Sequence, residues 1–84
     1  MRIKVFKNEI IEIALKIAEK EGHKIYRYDY ALLKINKHYQ IVSIELHYSD
    51  SIDLWKHTVK INQVKNYLQR NCITVVTEKL TINL

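Results

Sequence analysis

Apolar residues recur along this chain with two different periods, and the change from one to the other divides it into elements. Over residues 8–21, NEIIEIALKIAEKE, Ile10, Ile11, Ala14, Ile17 and Ala18 fall at helical spacing, with Ile13 and Leu15 widening the stripe. Asn8 is placed to cap this helix, and Glu9 and Glu12 sit at the positive end of its dipole. Glu12 and Lys16 form an i,i+4 pair. Gly22 stands where a left-handed residue ends a helix. The preceding Arg2–Phe6 alternates and reads as a short strand or an extended lead-in.

From Lys24 the period becomes two. The even positions of 24–35 include Tyr26, Tyr28, Tyr30 and Leu32; the odd ones are Ile25, Arg27, Asp29, Ala31, Leu33 and Ile35. Alternate side chains point to opposite faces of a strand, so these are two surfaces. A turn at Asn36–His38 leads into a second strand, 39–48, on which Val42, Ile44, Leu46 and Tyr48 share a face. A three-residue turn sets Ile35 opposite Tyr39, Leu32 opposite Val42, Tyr30 opposite Ile44 and Tyr28 opposite Leu46. The other parity puts Arg27 and Asp29 on the core face, at a cost of several kcal/mol if unpaired. The tyrosines are therefore expected to face the core. Exposed, they would resemble the aromatic platforms on which unpaired bases stack.

Ser49-Asp50-Ser51 signals another turn, and 53–60 a third strand. A four-residue loop, 49–52, aligns Leu46 with Trp55, Val42 with Val59 and Glu45 with Lys56. Asn62 is placed to cap a short helix, NQVKNYLQR, whose buried side is Ile61, Val64 and Leu68, with Asn71 ending it. The tail 72–84 is β-rich and reads as one strand or as a hairpin turning at Glu78-Lys79. The expected fold is α+β: a two-layer sandwich of helix, three-stranded antiparallel meander, helix and C-terminal strand or hairpin, forming one domain over 1–84. Helix, three strands, helix is also the element order of double-stranded RNA-binding domains. Their basic second-helix motif has no counterpart here, where that helix carries only Lys65 and Arg70.

Composition narrows the function classes. The chain has 84 residues, one Gly and no Pro, so neither GxGxxG nor a P-loop can be written. A single cysteine, Cys72, cannot form an intramolecular disulfide and suits a reducing cytoplasm. It is expected to be a small buried hydrophobe. There is no run of roughly 20 apolar residues to span a bilayer and no apolar stretch in the N-terminus to act as a secretory signal. The net charge of +5, from 14 Lys and Arg against 9 Asp and Glu, favours an anionic partner.

Three constellations compete. Arg2, Lys4, Lys7, Lys56, Lys60, Lys65 and Arg70 are candidate phosphate contacts for a basic module binding nucleic acid or an acidic protein surface. Leu33, Ile35, Tyr39 and Ile41, extended by Ala31, form a candidate apolar interface on the sheet face away from the helices. That face suits a small inhibitor, adaptor or accessory protein of the kind phages and mobile elements carry, or a homodimer through the sheet. Glu45, His47, Asp50, Asp53 and His57 are the residue types of a metal or hydrolase site. Strand parity separates Glu45 and His47 from Asp53 and His57, which argues against one. The expectation is a non-enzymatic binding module with no cofactor, no metal and no catalytic residues, and with nucleic acid as first partner class.

Overall fold

The structure is a computed structural model that describes residues 1–6, 9–22, 28–49 and 54–73. Among them the chain forms two helices and a four-stranded antiparallel sheet, an α+β fold. The elements are β1 (Arg2–Val5), α1 (Glu9–Lys20), β2 (Tyr28–Ile35), β3 (Ile41–Ser49), β4 (Leu54–Lys60) and α2 (Ile61–Arg70). The sheet order is β1-β2-β3-β4. Arg2–Val5 is thus a paired strand and not a lead-in, closing the free edge of β2 through Arg2↔Lys34 to Val5↔Ala31. The expected C-terminal strand or hairpin and the Asn8 cap lie outside the described residues.

The core follows from periodicity. Ile10, Ile11, Ile13, Ala14, Ile17 and Ala18 of α1 are buried, as are Val64 and Leu68 of α2. They meet Ala31, Leu33, Ile35, Ile41, Ile44, Leu46 and Val59 of the sheet. Both helices contact β3, β4 and each other. Gly22 has φ +89°, and its N–H donates to Glu19 O at 3.0 Å, so the left-handed end read from the sequence is formed.

The other helix end is built without glycine. Asn71 is the C-cap of α2, and its side-chain Nδ2 donates to Tyr67 O at 2.8 Å. Cys72 N–H then donates to Gln69 O and Ile73 N–H to Leu68 O. These paired bonds need a left-handed residue between them, and Cys72 supplies it at φ 53°. Cys72 is exposed, and the expectation of a buried cysteine is corrected. The start of α2 is corrected too. Its N-cap is Lys60, the last residue of β4, so strand runs into helix with no loop. Asn62 lies inside the helix and is exposed, while Gln63 Oε1 accepts the Lys60 N–H at 2.9 Å.

The largest departure is in the β2–β3 register. Ile35 pairs with Ile41, Leu33 with Ile44, Leu32 with Glu45 and Ala31 with Leu46. The connection runs from Asn36 to Gln40, two residues longer than the turn expected from Asn36-Lys37-His38. Asn36 holds it, its Oδ1 accepting the N–H of His38 (2.9 Å) and of Gln40 (3.1 Å), while Tyr39 takes φ 59°. Two bulges then reset the parity. The register slips by one between Tyr28↔Tyr48 and Tyr30↔His47, leaving Asp29 without an opposite residue, and again around Val42, between Lys34↔Ser43 and Ile35↔Ile41.

The inside–outside expectation is therefore inverted along most of β2. Leu33 (4% exposed), Ile35 (3%) and Ile41 (6%), expected as an exposed interface, are core residues, and Ala31 is fully buried with them. Tyr39 is exposed in the loop. Tyr28 packs against the core and Tyr30 does not. In this arrangement an unbroken strand would bury Asp29, which is why alternation alone points the tyrosines inward. The bulge removes that cost, since Asp29 is exposed while Tyr28 keeps its place. Tyr26 and Arg27 lie outside the described residues.

Candidate functional site

The sheet face turned away from the core is ordered by strand register into transverse rows. One row reads Tyr30, His47, Lys56. The next reads Lys4, Leu32, Glu45, Thr58. The third reads Arg2, Lys34, Ser43, Lys60. Five cations from three strands share these rows with one carboxylate. Arg2, Lys4, Lys34, Lys56 and Lys60 are all exposed, whereas Glu45 is only 6% exposed.

Glu45 is the electrostatic centre. Its carboxylate lies 3.5 Å from Arg2 Nη2, 3.8 Å from Lys56 Nζ and 3.4 Å from His47 Nε2. Arg2 comes from one edge strand and Lys56 from the other, so one buried acid draws both edges of the face toward its middle. Each exposed partner contributes about 0–1 kcal/mol to folding, because solvent screens it. The larger effect is directional: two flexible cations are held over the sheet while keeping donors free for a further anion.

Beside this cluster the Tyr30 ring stacks on His47, with centroids 4.7 Å apart and planes inclined by 9°. Lys4 Nζ lies 4.4 Å from the Tyr30 ring centroid. Aromatic surface and ammonium groups thus alternate across the strands.

The candidate phosphate contacts divide between surfaces. Arg2, Lys4, Lys56 and Lys60 come together by register, joined by Lys34, which the sequence places among the tyrosines of β2 and not with the candidate phosphate contacts. Lys65 and Arg70 lie on α2 and do not belong to this face. Arg70 instead lines a cavity of about 290 Å³ between the helices, with Lys20, Tyr67 and Asn66. Lys7 lies outside the described residues. Tyr30 and His47 pair across the strands, where the register expected from the sequence sets Tyr30 opposite Ile44. The signal was present in Lys34, which shares the even positions of β2 with Tyr30 and Leu32 and marks that side as solvent-facing.

The acid–imidazole constellation separates as parity requires. Glu45 and His47 occupy this face, whereas His57 Nε2 sits 3.1 Å from Glu21 Oε2 at the end of α1. Asp50 and Asp53 lie outside the described residues. The β3–β4 connection has four residues, as expected, but displaced by one, since Ser49 pairs with Leu54. That moves the register by two and preserves the faces. Lys56 is opposite His47 and only diagonal to Glu45. Among the described residues no group of three or more His, Cys, Asp or Glu side chains could hold a metal ion, and no helix is long and apolar enough to cross a membrane. No protein family model, curated protein or solved structure matches the chain.

Proposed function

We propose that this chain is a non-enzymatic module that binds nucleic acid through the Arg2–Lys4–Lys34–Lys56–Lys60 face of its sheet. The reading takes the domain as a two-layer sandwich working in the cytoplasm, with α1 and α2 on one side of the sheet and the partner on the other. The observation that carries it is the collection of five cations from β1, β2 and β4 on rows whose one acid, Glu45, is buried and already shared among Arg2, Lys56 and His47. Such a surface presents positive charge outward. Polyanions gain from it by releasing condensed counterions, whatever their sequence. The rival reading, an apolar interface, is left with Tyr39 alone, because Leu33, Ile35 and Ile41 are buried in the core.

A salt titration of binding to mixed-sequence DNA and RNA tests it. Four or five phosphate contacts give a log–log slope of about −3 to −4.5. Lys4→Glu and Lys56→Glu are expected to weaken binding of every sequence alike and to flatten that slope. No binding to either nucleic acid at low salt overturns the proposal.

A further inference from the structure

Resting on that reading, we infer that the polynucleotide recognised is single-stranded, and that an unpaired base packs against Tyr30 between flanking phosphate contacts. Three features of the face point this way. The first is its shape. Four strands about 4.8 Å apart make a surface about 14 Å across before side chains are added, whereas the major groove of B-DNA, about 12 Å wide, admits a helix or a two-stranded ribbon. The helices that could enter a groove are both packed against the opposite side of the sheet.

The second is the place of the aromatic pair. Tyr30 and His47 stand among the cations and not apart from them. Lys56 is opposite His47 on β4, and Lys4 reaches Tyr30 from β1. A duplex keeps its bases stacked inside and offers this pair only phosphate and sugar. A single strand offers a base face and a phosphate at every nucleotide, and so uses both kinds of group.

The third is the Lys4 ammonium over the Tyr30 ring. It marks a ring surface reachable from solvent, currently covered by an exposed and flexible side chain. A nucleobase taking that position keeps the ring covered and releases Lys4 to the adjacent phosphate. Stacking of this kind tolerates any base, because every base has a π-face.

The test measures fluorescence anisotropy of labelled single-stranded DNA, single-stranded RNA and a duplex of equal length with wild type, Tyr30→Leu and Tyr30→Trp. Single strands are expected to bind at least about tenfold tighter than duplex. Tyr30→Leu is expected to lose roughly 5- to 150-fold in single-strand affinity while leaving duplex affinity and the salt slope unchanged. Tyr30→Trp, which keeps an aromatic face, is expected to retain single-strand binding, and remains informative if the leucine variant fails to fold. The DNA and RNA arms show whether the 2′-hydroxyl contributes, and tight binding of either supports the inference. Duplex binding equal to or tighter than single-strand binding overturns it, as does unchanged single-strand affinity in a folded Tyr30→Leu, and both leave the nucleic-acid reading standing. Absence of all binding removes both.

Discussion

Tyr30 on β2 lies face to face with His47 on β3, and these two residues are also directly opposed in the strand register. The stack is therefore built by backbone pairing, and it orders the middle of the cationic face in the free protein. Cross-strand aromatic pairs of this geometry contribute about 1 kcal/mol beyond the area they bury. Urea unfolding of Tyr30→Ala, His47→Ala and the double variant is expected to give a coupling energy of that size. Additive losses would show that the rings do not stabilise one another.

The turn that ends α2 carries a conformational cost. Cys72 holds φ 53° between two helix-closing hydrogen bonds, a conformation in which its Cβ crowds the backbone. Cys72→Gly is expected to stabilise the protein by about 0.5–1 kcal/mol, a rise of several degrees in Tm. Cys72→Ala keeps the Cβ and is expected to leave Tm nearly unchanged. Thermal melts of the two variants side by side separate backbone strain from loss of the thiol.

Lys60 serves the face and the helix start in opposing ways. As N-cap of α2 it offers no side-chain acceptor to the first-turn N–H groups. Lys60→Asp supplies one and places negative charge at the positive end of the dipole, so a gain of about 1 kcal/mol in stability is expected. The same change removes a cation from the face, and weaker nucleic-acid binding is expected together with the higher Tm. Paired calorimetry and binding measurements check both signs on one variant.

Tyr28 couples stability to high pH. Its hydroxyl is buried with no hydrogen-bond partner among the described residues, and burial raises its pKa above the ordinary value of 10.0 by penalising the phenolate. Below pH 10 the phenol is neutral in both folded and unfolded chains. As pH rises through 10 the unfolded chain ionises first, and the folded state loses stability relative to it. Tyr28→Phe is expected to be neutral or slightly stabilising at pH 7, since it deletes an unpaired polar group, and to lessen the fall in stability between pH 9 and 11. Chemical denaturation across that range measures both.

The two sides of β2 are distinguished by a neighbouring pair. Leu33 is buried in the core, whereas Leu32 is half-buried opposite Glu45 on the other face. Leu33→Ala is expected to cost about 2–5 kcal/mol and Leu32→Ala less than about 1.5 kcal/mol. The reverse order in urea midpoints would restore the orientation that simple alternation implies.

Local pattern determined a good part of this protein. The buried stripe of α1, its end at Gly22, the apolar side of α2 and the common face of Glu45 and His47 all follow from spacings of three, four or two residues. Those spacings are properties of the backbone itself, so they are visible without neighbours. A positive net charge was equally plain, but not where it would gather. Tertiary structure alone decided which side of β2 is inside, because that depends on one extra residue at Asp29 and one at Val42. A bulge reverses every side chain beyond it, yet leaves the composition and most of the alternation unchanged. The choice was made by the summed burial of Ala31, Leu33 and Ile35 in the core shared with the helices against the solvation of Lys34 and Asp29, a balance that exists only once the strands are paired and packed.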